Sequence, residues 1–107
     1  MQMNEYQLRA QRTSNTDDEV SKLMNGVLGL NGEAGEVADI VKKALYQGHE
    51  LDEAHLAEEI GDCLWYIAEL ATALNLTLDA VAKRNIDKLQ KRYPTGFDSE
   101  RSVNRPQ

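Results

Sequence analysis

Two short stretches repeat one arrangement of acids. Residues 33–36 read Glu-Ala-Gly-Glu and residues 59–62 read Glu-Ile-Gly-Asp. On a helix, positions three apart share a face, so Glu33 projects with Glu36 and Glu59 with Asp62. Like charges at that spacing repel, and a glycine inside a helix costs about 1 kcal/mol relative to alanine. If the two segments lie on neighbouring antiparallel helices, all four carboxylates converge. Such crowding demands protons, separation or a cation. An all-oxygen set with no His or Cys suits a hard divalent ion, Mg²⁺ with Mn²⁺ as the alternative, which keeps waters and accepts substrate phosphate. Acid pairs one turn apart are common on solvated helix faces. Their duplication, the glycine in each and the apolar sequence around them set these two apart. Gly26, Gly29, Gly32 and Gly35 recur at every third position. Close approach of a backbone or ligand is the expected reason, with Gly35 and Gly61 lying where the helices meet.

The elements that must carry these acids are helical. Apolar residues recur at helical spacing, strict alternation is absent and β-branched residues never cluster. A short first helix is expected from Tyr6 to about Arg12, followed by the polar loop TSNTDD. Asp17 or Asp18 caps a long second helix whose apolar stripe runs from Val20, Leu23 and Met24 through Val27 and Leu30 to Ile40 and Val41. Gly48 ends it. Asp52 caps a third helix with Leu56, Ile60, Cys63, Leu64, Ile67, Leu70 and Leu74 facing inward. After the turn at Asn75-Leu76-Thr77, Thr77 caps a fourth helix, which stops before Pro94. Short connections make neighbours antiparallel, so the expected fold is an all-α four-helix bundle spanning residues 1–97 as one domain. Residues 98–107 carry too little apolar content to pack and are expected to form a flexible tail.

Composition narrows the function. The 107 residues carry a net charge of −6, which argues against a nucleic-acid partner. The charge is uneven: residues 76–107 hold seven Lys/Arg against four acids, and residues 1–75 hold five against fourteen. An acidic half beside a basic helix suits a site where cations and phosphates meet. The lone Cys63 sits in a helical apolar pattern and reads as packing in a reducing compartment. The start of the chain lacks the apolar run of a signal peptide, and no stretch is long and apolar enough to span a membrane. A cytoplasmic location is the expectation.

The segment from GLNGEAGEVAD through AEEIGDCLWY to NIDKLQKRYP resembles the MazG-type all-α nucleotide pyrophosphohydrolases, whose motifs are Glu-Glu-x-x-Glu and Glu-x-x-Asp. The resemblance covers roughly residues 5–97. It implies hydrolysis of a (deoxy)nucleoside triphosphate to the monophosphate and diphosphate, with a role in clearing the nucleotide pool. By position it makes Glu33, Glu36, Glu59 and Asp62 the Mg²⁺ ligands, and it matches Asn85 and Lys88 to fourth-helix positions that touch phosphates. Gly32 departs from the pattern, standing where the family has its first Glu. Glu36 or Glu58 is then the expected base for the attacking water, whose pKa the metal lowers. Arg92 continues the stripe of Asn85 and Lys88 by one more turn. Tyr66 follows Asp62 by one turn and is expected to stack on the base, while Trp65 packs at a helix interface. Gln7 and Thr13 precede the acids and could reach a ligand, although polar residues in such positions more often do nothing. Lys42 and Lys43 near Asp39 read as surface ion pairs.

Related proteins are homodimers or homotetramers whose sites complete between subunits. The apolar residues Leu64, Trp65, Ile67, Leu70, Ala71 and Leu74 cover more than one helix face, so self-association is expected. Several signals are decoys. Asp52-Glu53-Ala54-His55 copies a helicase motif, but no Gly-x-x-x-x-Gly-Lys-[Ser/Thr] loop accompanies it. His49 and His55 are six apart rather than the four a zinc hydrolase helix uses. Two other readings stay open: a non-catalytic oligomeric helical interaction module, and hydrolysis of another phosphoanhydride such as phosphoribosyl-ATP.

Overall fold

A computed structural model describes residues 1–105. Five helices follow one another: α1 (Met3–Gln11), α2 (Glu19–Tyr46), α3 (Glu53–Ala73), α4 (Leu78–Arg92) and a short α5 (Ser99–Val103). No strand pairs with another among the described residues; Pro94 and Gly96 form an isolated bridge. The expected caps are in place. The Asp18 side chain accepts from the Ser21 N–H, Asp52 from His55 and Thr77 from Ala80. Asn75 ends α3 in the left-handed region at φ 57°, with the Leu76 N–H returning to the Ala71 carbonyl at 2.8 Å. Gly48 takes the same role after α2, at φ 72°.

The long helices α2 and α3 pack along each other as a hairpin, and α1 and the start of α4 pack onto α3. Two glycines set the closeness of the hairpin. A Cβ on Gly26 would lie 2.6 Å from Leu70 Cγ, and one on Gly29 would collide with the Tyr66 ring. Among the described residues, Gly32, Gly35 and Gly61 have nothing within 4 Å of that position, so the expected close approach beside the paired acids does not occur there. Near-contact is instead one and two turns earlier on α2, where the α3 side chains facing it are bulky.

The core is small and alanine-rich: Ala10, Ala68, Ala71 and Leu78, with Tyr6 and Trp65 packed against it. Gln7 stitches three elements together. Its Nε2 donates to Thr72 Oγ1 (3.0 Å) and the Leu76 carbonyl (2.9 Å), and its Oε1 accepts from the Leu78 N–H (2.7 Å). Its amide is spent on structure.

Several residues expected inside are exposed: Val20, Leu23, Met24 and Val27 on α2, Ile60 and Ile67 on α3, and Leu74 at its C-cap. One chain offers too few helices to cover those faces. The fourth helix does not close a bundle, since residues 81–91 are all exposed. The Cα radius of gyration is 16.9 Å, against about 13 Å for a compact chain of this length. Within residues 98–105, Asp98 caps α5, none of whose residues is buried, and the Arg101 guanidinium donates to the Arg92 and Lys91 carbonyls. The rest of the expected tail, residues 106–107, lies outside the described residues.

Candidate metal centre and nucleotide pocket

The hairpin brings acids from both helices together. Glu33 of α2 and Glu59 and Asp62 of α3 each offer a carboxylate oxygen within 4.8 Å of the others. Glu33 and Glu59 are half-buried and Asp62 is exposed. Glu36 lies outside this triad. It lines a second cleft of about 420 Å³ with Asp39, Lys43, His49 and His55, although its charge still acts on Glu33. Lys42 and Lys43 pair with Asp39 at 3.5 and 2.8 Å.

The crowding has an electrostatic signature. Glu33 is pushed up to about 7, first because it shares a proton with Glu59, then through burial and through the charges of Glu59, Asp62 and Glu36. Glu59 Oε1 lies 3.3 Å from His55 Nε2, while Glu59 Oε2 is buried with no hydrogen-bond partner among the described residues. A buried carboxylate oxygen without a donor is costly. A divalent cation held by Glu33, Glu59 and Asp62 would answer both demands, supplying the positive charge that the crowded carboxylates lack. Three hard oxygen donors, one of them on the exposed Asp62, fit Mg²⁺ or Mn²⁺, which keep several waters and are held by few carboxylates.

Beside the triad opens a pocket of about 610 Å³ lined by Thr13, Asn15, Asn25, Glu33, Asp62, Trp65 and Tyr66. That volume accommodates a nucleotide-sized ligand. The Tyr66 ring is braced over Gly29, and the Trp65 ring meets it edge-on at 82° with centroids 5.0 Å apart. Trp65 Nε1 donates to the Ala10 carbonyl (3.1 Å) and Thr13 Oγ1 (2.9 Å). Trp65 therefore packs between helices as expected, and also forms part of the pocket wall.

Residues 22–97 match the MazG nucleotide pyrophosphohydrolase domain family. The chain belongs to that family. A relative, the Gene 37 protein of Mycobacterium phage L5, is 40% identical over 83 residues, covering 74% of this chain and 73% of that protein. No solved structure matches significantly. The match spans both acidic motifs of this MazG-family chain and its α4, and the helical fold agrees with it.

The remaining sequence-selected residues are dispersed. Glu58 is exposed and lies outside both the triad and the pocket. Asn85 and Lys88 stand exposed on α4, Arg92 is half-buried at its end, and none of the three lines the pocket beside the acids. The cause is the departure of α4 from the hairpin after Ala80. Conversely, sequence reasoning passed over Asn15, Asn25 and the fully buried Glu69, whose carboxylate ties α3 to the loop after α1. One signal was available. Glu69 lies seven residues after Asp62, two turns along the same face, between Ala68 and Leu70 in an apolar run.

Proposed function

We propose that this protein is a divalent-metal-dependent nucleotide pyrophosphohydrolase, converting a (deoxy)nucleoside triphosphate and water to the monophosphate and diphosphate. The observation that carries the reading is the Glu33–Glu59–Asp62 triad beside a nucleotide-sized, aromatic-walled pocket, in a chain of the MazG family. These three carboxylates would hold Mg²⁺, with Mn²⁺ accepted by the same set, and Glu36 would join from the next turn of α2. When bound, the cation neutralises triphosphate charge and acidifies a water. Glu36, whose charge acts on Glu33, or Glu58 would take the proton of the attacking water. Tyr66 offers a ring face to the base. A nucleotide-pool housecleaning role follows from this reaction.

Asn85, Lys88 and Arg92 serve as phosphate-holding groups supplied by α4 of a second copy in a homodimer or homotetramer. Two observations support the assembly. The outer part of α4 lies free in the single chain, and the chain exposes 8041 Å² where a folded monomer of 12.0 kDa exposes about 6,000 Å². The excess of roughly 2,000 Å² is of the size that a stable interface removes.

The test is diphosphate release from a panel of canonical, deoxy- and damaged triphosphates with Mg²⁺, with phosphoribosyl-ATP included. Release that Glu59→Gln abolishes, with helix content unchanged, supports the reading. No release from any substrate and no heat of Mg²⁺ binding would favour the non-catalytic interaction module.

A further inference from the structure

Among the described residues, Glu69 is the only side chain larger than alanine with no solvent exposure. It is charged, so its surroundings must answer for it. They do so almost entirely with donors: Gln11 Nε2 at 3.2 Å, Ser14 Oγ at 3.0 Å to each carboxylate oxygen, Thr16 Oγ1 at 3.4 Å and Asn25 Nδ2 at 3.0 Å. Lys22 Nζ adds its charge from 3.6 Å. Burial alone would raise this carboxyl. The hydrogen bonds of Asn25, Gln11 and Ser14, with the Lys22 charge, outweigh that and hold it below the ordinary range.

One consequence falls on Asn25, which both lines the pocket and touches Glu69. An asparagine amide can turn over, presenting either its carbonyl or its NH₂ to a neighbour. A carboxylate accepts only, so Glu69 takes the NH₂ and removes the choice. The amide oxygen, Oδ1, is left without a hydrogen bond among the described residues, on a residue that lines the same pocket as Glu33 and Asp62. The buried acid thus dictates the hydrogen-bonding polarity of a pocket residue that it does not itself join.

We propose that Asn25 reads the nucleoside half of the substrate through Oδ1, accepting a hydrogen bond from an N–H or O–H donor, and that Glu69 is the positioning residue that fixes this polarity. The proposal rests on the nucleotide reading of the pocket. The donor is an exocyclic base amine or a ribose hydroxyl, and matched substrates separate the two: CTP against UTP and ATP against ITP for the amine, ribo- against 2′-deoxy- and 3′-deoxynucleotides for the hydroxyls.

The wild-type protein should prefer the member bearing the exocyclic amine, or the one bearing the hydroxyl, in one of these pairs by about tenfold in kcat/KM, the worth of one good hydrogen bond. Asn25→Ala should erase that preference, acting on KM more than on kcat. Glu69→Gln, whose amide can donate as well as accept, frees Asn25 to turn over and should shrink the same ratio; a purely structural loss would lower all substrates alike and leave the ratio standing. If Glu69→Gln does not fold, Asn25→Ala decides alone. The same pairs are measured by calorimetric binding of non-hydrolysable α,β-imido analogues, so a protein that binds nucleotides without cleaving them still tests the inference while overturning the proposed reaction. A wild-type protein indifferent to every pair, or a preference that survives Asn25→Ala, overturns the inference and leaves the hydrolase reading in place. Failure to bind any nucleotide sinks both.

Discussion

Binding of a divalent cation to the acidic triad should expel a proton, and the amount should depend on pH in a defined way. Glu33 is held up to about 7, chiefly by the proton it shares with Glu59. A group with that pKa is about nine-tenths protonated at pH 6 and about one-tenth at pH 8, and carboxylates ligate in the ionised form. Mg²⁺ should therefore release about 0.9 proton per ion at pH 6 and about 0.1 at pH 8, with apparent affinity about tenfold below its high-pH plateau at the lower pH. Calorimetric titration in two buffers of different ionisation enthalpy reads the proton count directly. Glu33→Gln should bind the ion weakly and release none. Affinity that is flat from pH 5.5 to 8, or no proton release at pH 6, would refute the idea that the triad shares a proton which the ion replaces. The sign for folding follows from the same shift. The metal-free folded protein binds more protons than the unfolded chain between the ordinary carboxylate value of 4.5 and about 7. Glu33 thus lowers stability progressively as pH rises through that window, with no further change above it, and saturating Mg²⁺ should remove the decline.

Three further outcomes can be checked by ordinary means. Gly29→Ala places a methyl group against the Tyr66 ring and should destabilise by about 1–2 kcal/mol net of the improved helix propensity, whereas Gly35→Ala meets nothing and should stabilise by about 0.5–1 kcal/mol; urea midpoints moving in the same direction would contradict the packing described. Gln7→Ala leaves a buried N–H and a carbonyl without partners where α1 meets the start of α4, and should cost about 2–3 kcal/mol in the same assay. Light scattering should find a dimer or larger species, and a monomer at high protein concentration would remove the basis for a site completed by a second α4.

Helices were legible because their signals are local. Asp18, Asp52 and Thr77 each cap the helix that follows through a side chain three residues from its target, and Asn75 and Gly48 end helices through their own backbone angles. The Glu33, Glu59 and Asp62 part of the candidate site was legible for a related reason: a three-residue spacing fixes a shared face, and two such faces on antiparallel neighbours have few ways to avoid each other. Inward-facing residues were less legible. Ile60, Ile67 and Leu74 follow the helical period faithfully, but period marks an apolar face without saying which element covers it, and the described residues leave these three partly exposed.

By itself, then, the order of residues determined where the helices begin and end, and that carboxylates would crowd between two of them, since both depend on neighbours within a turn or two. Only the tertiary structure decided which glycines carry the close contact, that α4 leaves the hairpin, and that Glu69 is buried among donors from α1, the following loop and α2. Those outcomes depend on distances between residues tens of positions apart, and such distances are set by how whole helices dock.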